Sequence, residues 1–224
     1  GDPALKMIFS RMPATLELAF CAFMLALIIG IPLGLAAGLY FDRPVGRAIT
    51  AGSVLGFSLP NFWQGMVLIL LVAVTWRMFP TGGRGDVGEF LGIRSSMFTT
   101  DGWSHLALPA LNLAIFKAAL LIRLVRAGVR ETMSLDYVKF ARAKGLRERR
   151  IVGVHVMQNI MIPVVTILGM ELGTVIAFSV VTETVFAWPG MGKLVIDSIY
   201  VLDRPVIVAY LMIIVTMFIL INLI

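Results

Sequence analysis

Five apolar stretches, each long enough to cross a lipid bilayer, constrain the fold of this chain more than any other feature. A hydrocarbon core about 30 Å thick needs about 20 apolar residues in a helix. The stretches are residues 16–39, 54–75, 106–125, 160–181 and 206–224. Because lipid offers no hydrogen-bonding partner, the backbone within each stretch must satisfy its own polar groups, which a helix does. The sequence therefore predicts an all-α membrane protein, a polytopic helical bundle whose five transmembrane helices form one domain over residues 1–224.

The composition agrees with a membrane protein and argues against a nucleic-acid-binding one. Apolar residues make up 59% of the chain and charged residues 14%, whereas soluble domains have about 45–50% and about 25%. The net charge of +6 comes from basic residues beside apolar stretches, without interleaved aromatic residues, so membrane topology accounts for it. A single cysteine, Cys21, excludes an intramolecular disulfide and a cysteine metal cluster.

The basic residues predict which connections face the cytoplasm. Nine of the nineteen Lys and Arg residues lie between Arg123 and Arg150, and two more follow the first apolar stretch. Because cytoplasmic loops are rich in Lys and Arg, these two connections are expected inside and the start of the sequence outside. Five spans with an outside start also favour one further span before Gly1, six in all.

Prolines and glycines predict breaks in the regular pattern. The prolines in or at the ends of the apolar stretches predict kinks or helix starts; they are Pro32, Pro60, Pro109 and Pro163. The connection over residues 77–105 contains GGRGD and GIRSS, which predict an irregular extracytoplasmic loop.

The basic connection contains a segment, residues 136–145, with the pattern of a short surface helix. Ser134 is suited to cap it, and Asp136 lies in the first turn, where negative charge favours the helix dipole. Gly145 is suited to the left-handed conformation that ends a helix, and Leu146 to the hydrophobic contact that follows. We expect the chain to return to the membrane as a new helix from Arg147.

One face of this predicted helix is apolar. The residues that share it, at three- and four-residue spacing, are Tyr137, Phe140 and Ala141. Lys139 and Arg142 point elsewhere. Two interpretations remain open for the segment taken alone: a docking element for a cytoplasmic partner, or a positively charged anchor that is helical.

The same segment resembles the cytoplasmic loop of binding-protein-dependent ABC importer permeases, above all their dipeptide/oligopeptide/nickel branch. In that branch the loop reads A-R-A-K-G followed by a hydrophobic residue. An R-R pair comes next, and then a His and an Asn that precede a proline. The corresponding residues here are Ala141, Arg142, Ala143, Lys144, Gly145, Leu146, Arg149, Arg150, His155, Asn159 and Pro163. The general permease motif, E-A-A-x3-G-x9-I-x-L-P, fits poorly because Lys139 and Phe140 replace its Glu and first Ala. This departure narrows the resemblance to the peptide/nickel branch.

A second block, about residues 183–205, resembles the outer segment of the same permeases. The resemblance makes five residues candidates for an outer gate: Glu183, Trp188, Pro189, Gly190 and Gly192. The alternative is an interfacial turn with Trp188 as its aromatic anchor. Residues 13–18 and 58–63 resemble these permeases too, so the resemblance covers nearly the whole chain. It implies a missing first span before Gly1 and a missing short tail after Ile224.

The resemblance implies the fold of a type I ABC importer permease and a role in ATP-driven uptake of di- or oligopeptides. The location would be the cytoplasmic (inner) membrane of a bacterium. A coupling loop, about residues 126–155, would dock onto the ATPases through Tyr137, Phe140, Ala141, Arg142, Ala143, Lys144 and Gly145. In this arrangement Tyr137, Phe140 and Ala141 would fill a groove, and Arg142 and Lys144 would meet its acidic rims.

The implied partners are a second homologous permease in a heterodimer, two cytoplasmic ABC ATPase subunits and an extracytoplasmic substrate-binding protein. ATP and Mg would be bound by the ATPases, with no cofactor on this chain. Membrane lipid surrounds the spans, and no nucleic acid is expected.

Two charged residues, Lys117 and Glu171, lie well inside predicted spans. Ionisable groups at such depth are rare and mark candidate functional sites. At 1.5 Å per residue both lie at similar depth, so an ion pair is geometrically feasible. Three interpretations remain open: a structural pair, exposure to a polar translocation path, or Lys117 reaching towards water alone.

No catalytic or metal site assembles in the sequence. His105 and His155 are predicted on opposite sides of the membrane, which argues against a zinc site. Neither a phosphate-binding G-x-x-x-x-G-K-[ST] motif nor a G-x-S-x-G motif occurs. The chain is therefore expected not to be an enzyme. The alternatives to a peptide permease are a nickel or metal-chelate permease of the same branch, and a non-transporting membrane scaffold or sensor.

Overall fold

The computed structural model describes residues 3–90 and 92–223; Ile224, the last residue of the predicted fifth span, lies outside them. Its helices, in chain order, are α1 (Ala4–Leu39), α2 (Pro44–Ser58), α3 (Asn61–Leu68), α4 (Thr100–Ser134), α5 (Asp136–Ala143), α6 (Glu148–Arg150), α7 (Met157–Val185), α8 (Met191–Tyr200) and α9 (Arg204–Leu223). Two π-helical segments, Ile69–Thr75 and Ile151–Val156, extend α3 and join α6 to α7. The predicted all-α membrane architecture is confirmed.

Four helical runs among the described residues are long and apolar enough to cross a membrane, namely α1, α4, Glu148–Val185 and α9. Counted as one broken span, the bent pair of α2 with Asn61–Thr75 brings the number to five. Pro60 separates the two, because it lacks an N–H and disfavours a helical conformation for the residue before it. The carbonyl of Leu59, released by the break, accepts a hydrogen bond from Gln64 Nε2 at 2.9 Å. Four of the predicted spans are therefore continuous helices, and the second predicted stretch, residues 54–75, falls on the bent pair.

The connection between Thr75 and α4 is more regular than predicted. Strands β1 (Gly88–Phe90) and β2 (Ile93–Ser95) pair antiparallel, with Glu89 opposite Arg94. Gly92 adopts φ +80°, a conformation that glycine tolerates and that lets the chain reverse. A 3₁₀ turn, Ser96–Phe98, leads into α4. The prediction of an irregular loop was wrong for these residues.

The chain divides into two compact units. The first contains the described residues of 1–25, 59–114 and 170–224. Its core includes a cluster contributed by α1, α8 and α9: Ile8, Met191, Val195, Val206 and Tyr210. Burying such side chains ties the start of α1 to the last two helices of the chain.

The second unit comprises residues 26–58 and 115–169. Here α1 packs closely against α4 through glycines four residues apart. A Cβ atom at Gly34 would lie 2.7 Å from Val125 Cβ, closer than real Cβ atoms approach. Gly30 and Gly38 meet Leu121 and Val129 in the same way. Helices in membranes pack through such stripes of small residues, because contact between backbones replaces the missing hydrophobic driving force.

Candidate functional site

The short helix α5, in the second unit, ends as the sequence predicted and begins differently. Gly145 has φ +77°, and the amide of Leu146 donates to the carbonyl of Ala141 at 3.2 Å. This is the hydrogen-bond pattern of a glycine-terminated helix. Ser134, however, is the last residue of α4, and its hydroxyl donates to the Glu131 carbonyl at 2.7 Å. The prediction that Ser134 caps α5 was wrong, because the hydroxyl is already used by α4.

The exposed side of α5 is aromatic, and its inward side is aliphatic. Phe140 is 61% exposed and Tyr137 43% exposed. Val138 and Ala141 are buried, so Ala141 packs within its own chain rather than on the surface expected to fill a partner's groove. Tyr137 and Phe140 therefore form the accessible apolar surface of the helix.

Charged groups on α5 are largely engaged within the chain. Arg142 Nε donates to Glu148 at 2.7 Å, and this hydrogen bond raises the pKa of the guanidinium. The ammonium of Lys144 lies 4.6 Å from the centroid of the Phe140 ring. At the other end, Lys139 donates to Asp136 at 2.9 Å and lowers the pKa of that carboxyl. Lys144 and Phe140 thus present one joint surface, whereas Arg142 closes the turn after the helix.

Replacing Gly145 with alanine is expected to loosen the end of α5. A residue with a Cβ in the left-handed region costs about 1 kcal/mol, so hydrogen exchange at the Leu146 amide should accelerate about fivefold. Gly153→Ala is the matched control, because a Cβ at Gly153 meets nothing within 4 Å and its backbone is helical. Equal exchange in the two variants would contradict the assignment of Gly145 as the helix terminator.

In the first unit, the outer segment is organised around the carboxylate of Glu183. This side chain is 0% exposed and accepts hydrogen bonds from the hydroxyls of Thr15 and Ser179 at 2.8 and 2.9 Å. The backbone amides of Gly192 and Lys193 donate to it as well, the latter at 3.0 Å. A buried carboxylate needs such a set of donors. Glu183 therefore joins α1, the end of α7 and the start of α8.

Two glycines of the outer segment, Gly190 and Gly192, lie directly against the side chain of Glu183. A Cβ at Gly190 would collide with the Glu183 carboxylate, and one at Gly192 would lie 2.7 Å from the Val180 Cα. Only glycine leaves room for the backbone at both positions. Pro189, between Trp188 and Gly190, precedes α8 and lies partly buried beside this network. The sequence singled out these residues but not their packing around one acid.

Trp188 is buried within the first unit, not placed as an interfacial anchor. Its indole N–H donates to the carbonyl of Ala14 at 2.9 Å. The amide of Trp188 donates to the Glu183 carbonyl at 2.8 Å, while Ala187 takes φ +48°. This is again the end of a helix in which a left-handed residue turns the chain, and it directs the indole inward.

A second buried acid, Glu17, holds the two ends of the loop that contains β1 and β2. Arg84 Nη2 lies 2.5 Å from the Glu17 carboxylate, and the hydroxyl of Ser96 also donates to it. The sequence marked Glu17 only as a favourable acid near a helix start. Its partners lie 67 and 79 residues away, and no local pattern indicates them.

Three polar side chains meet inside the first unit. Asn112 Nδ2 donates to Asn61 Oδ1 at 2.5 Å and to Thr182 Oγ1 at 3.2 Å. They join α3, α4 and α7, as polar side chains between membrane helices commonly do. The signal available in the sequence was the presence of Asn112 in an apolar stretch.

The structure places Lys117 and Glu171 in different units. Lys117, in the second unit, is 9% exposed, and its ammonium lies 5.6 Å from the Phe116 ring centroid. Glu171, in the first unit, is partly buried and accepts a hydrogen bond from the Thr174 hydroxyl at 2.8 Å. The ion pair between the two stays a prediction.

Comparison with known proteins identifies the family. The sequence model described as "Binding-protein-dependent transport system inner membrane component" matches residues 30–224. The dipeptide transport system permease protein DppB of Escherichia coli (strain K12) is 38% identical over 241 residues, covering 99% of this chain and 70% of the relative. The oligopeptide transport system permease protein AppB of Bacillus subtilis (strain 168) is 39% identical over 209 residues, covering 93% of this chain and 64% of the relative.

Solved structures share the fold at low sequence identity. A chain of the MetNI methionine ABC transporter in an inward-facing conformation superposes with a TM-score of 0.78 at 16% identity, covering 100% of this chain and 94% of that one. A chain of an amino acid ABC transporter gives a TM-score of 0.64 at 17% identity, covering 98% and 92%. The chain therefore belongs to the family of binding-protein-dependent transport system inner membrane components: it is a multi-pass permease subunit of a bacterial ABC importer.

Proposed function

We propose that this permease forms half of the membrane pathway of an importer for di- or oligopeptides. Its family already makes it a transport subunit of the bacterial inner membrane, not an enzyme, working with separate ATPases and a substrate-binding protein. The proposal that the substrate is a peptide rests on relatives that are 37–39% identical to this chain. They are permeases named for dipeptides, oligopeptides and glutathione. These relatives favour peptides over nickel, and the family argues against a non-transporting scaffold.

The proposed assembly contains a second, homologous permease as heterodimer partner and two cytoplasmic ATPase subunits. In this assembly ATP and Mg would bind to the ATPases, and we assign no cofactor to this chain. The outer segment, with Glu183, Trp188, Pro189, Gly190 and Gly192, would gate the outer mouth. Lys117 and Glu171 are the proposed polar contacts of the path, since ionisable groups at membrane depth usually serve such a role.

Coupling to the ATPases is assigned to α5 and its exposed aromatic surface, Tyr137 and Phe140. The helix is held to the rest of the second unit by its buried residues Val138 and Ala141. The hydroxyl of Tyr137 also donates to the His155 carbonyl at 3.4 Å, on the segment leading into α7. A push on α5 would therefore move the attached membrane helices as a rigid body, the kind of motion that transporters use.

Uptake by the complete transporter tests the substrate class. Proteoliposomes containing both permeases and the ATPases, supplied with the binding protein, should accumulate a labelled dipeptide only when ATP is present. Free Ni²⁺ at roughly tenfold excess over the dipeptide should leave the rate of dipeptide uptake unchanged. A competing substrate at about this excess would lower that rate visibly. Nickel uptake without dipeptide uptake would overturn the proposal.

Phe140→Asp is expected to abolish co-purification of the ATPases and reduce dipeptide uptake to background. Because the side chain is exposed in this chain, the thermal unfolding temperature of the permease should stay the same. For co-purification, Tyr200→Asp is the matched control and should retain the ATPases, since Tyr200 is an exposed aromatic residue at the end of α8, on the predicted outer side. ATPases retained by the Phe140 variant would show that this surface is not the docking site.

A further inference from the structure

The second unit contains an apolar groove lined by α1, α2 and α4, with a volume of about 240 Å³. Its lining, at helical spacing, includes Ile49, Gly52 and Gly56 of α2 and Ile115, Ala119 and Ile122 of α4. A Cβ at Gly52 would meet nothing within 4 Å. The groove therefore has room for hydrocarbon beyond the side chains of the chain itself.

Three arginines continue the groove-lining face of α4 towards the cytoplasmic end of that helix. Arg123, Arg126 and Arg130 follow Ala119 at steps of four, three and four residues, which keeps them on one side of the helix. None of the three forms an ion pair with a carboxylate in the part of the chain that the structure describes. The Nε atoms of Arg123 and Arg126 are buried without a hydrogen-bond partner there. Donors are thus present without an acceptor.

Aromatic rings of neighbouring segments hold two of these guanidinium groups in place. Arg123 lies 4.0 Å from the centroid of the Phe57 ring, and Arg130 lies 4.6 Å from that of Phe41. A guanidinium stacked on a ring keeps its in-plane N–H groups free to bind a phosphate in a bidentate manner. The stacking therefore orders the side chains without neutralising their charge.

We infer that this groove and its arginines bind an anionic phospholipid of the cytoplasmic leaflet. The phosphate would contact Arg126 and Arg130, and one acyl chain would occupy the groove. Basic pockets between membrane helices on the cytoplasmic side suit such head groups. A peptide carboxylate is the less suitable occupant, because the apolar groove offers no partner for a peptide backbone.

Native mass spectrometry of the intact transporter, purified in mild detergent, tests the inference. Phosphatidylglycerol and phosphatidylcholine of matched acyl chains would be supplied in equal amounts. Wild-type protein should retain phosphatidylglycerol selectively, and Arg126→Gln with Arg130→Gln should weaken its retention roughly 30-fold. Gly52→Leu, which fills the groove and leaves the charges intact, should weaken it as well. Arg149→Gln with Arg150→Gln removes two exposed cytoplasmic charges elsewhere and should have no such effect.

Three results would overturn the inference. Equal retention of the two lipids would exclude a site for an anionic head group. An equal loss of phosphatidylglycerol retention in the Arg126/Arg130 and Arg149/Arg150 double variants would show that positive charge in general attracts the lipid, without a specific site. Displacement of the bound lipid by a dipeptide with a free carboxylate, but not by its amide, would assign the arginines to substrate instead.

Discussion

Glu183→Ala is expected to lower the free energy of unfolding by about 4 kcal/mol, because it leaves several buried donors without an acceptor. The hydroxyls of Thr15 and Ser179 and the amide of Lys193 all donate to this carboxylate. Thr15 also accepts a hydrogen bond from the Met191 amide at 2.8 Å, so the loss would spread to the start of α8. Glu183→Gln keeps one oxygen acceptor and should lose about half as much.

Thermal unfolding of the purified permease in detergent measures this effect, with the intrinsic fluorescence of its four tryptophans, Trp188 among them, as the readout. Glu131→Ala is the control, since Glu131 is an exposed acid near the end of α4. If Glu183→Ala unfolds at the wild-type temperature, the carboxylate does not hold the outer segment together. If Glu131→Ala lowers the unfolding temperature as much as Glu183→Ala does, the change in net charge and not the buried network accounts for the lower stability.

Gly34→Leu is expected to lower the free energy of unfolding by about 3 kcal/mol, since overpacking forces α1 away from α4. The first atom added would lie 2.7 Å from Val125 Cβ and 3.1 Å from the Ile122 carbonyl oxygen. The backbone oxygen has little freedom to move aside. Intrinsic helix propensity works in the opposite direction, because leucine is better than glycine in a helix. The sign of the change therefore separates packing from propensity.

Gly169→Leu, in α7, provides the comparison, because a Cβ at Gly169 meets nothing within 4 Å. Its unfolding temperature should stay level or rise slightly as helix propensity improves. Thermal unfolding of both variants under one condition gives the answer. A rise for Gly34→Leu would mean that α1 and α4 are not in close contact along this stripe.

Local sequence patterns predicted much of helix α5 and little of the outer segment's interior. Gly145 was identified from a helix-ending pattern confined to a few residues, and the structure confirms its left-handed conformation. Glu17 was seen only as an acid near a helix start, because Arg84 and Ser96 are distant in sequence. Ser134 was assigned to the wrong helix, since its hydroxyl could serve either the end of α4 or the start of α5.

The sequence by itself determined the membrane environment, four of the five spans, the helix start after Pro60 and the basic segment that carries the family resemblance. Each depends on local chemistry: apolar length, a missing N–H or a run of charge. Only the tertiary structure decided that Glu183 is the centre of the outer segment. It also decided that Ala141 faces inward and that glycines of α1 face α4. These features depend on which distant side chains share a buried space, where every donor needs an acceptor and every atom needs room.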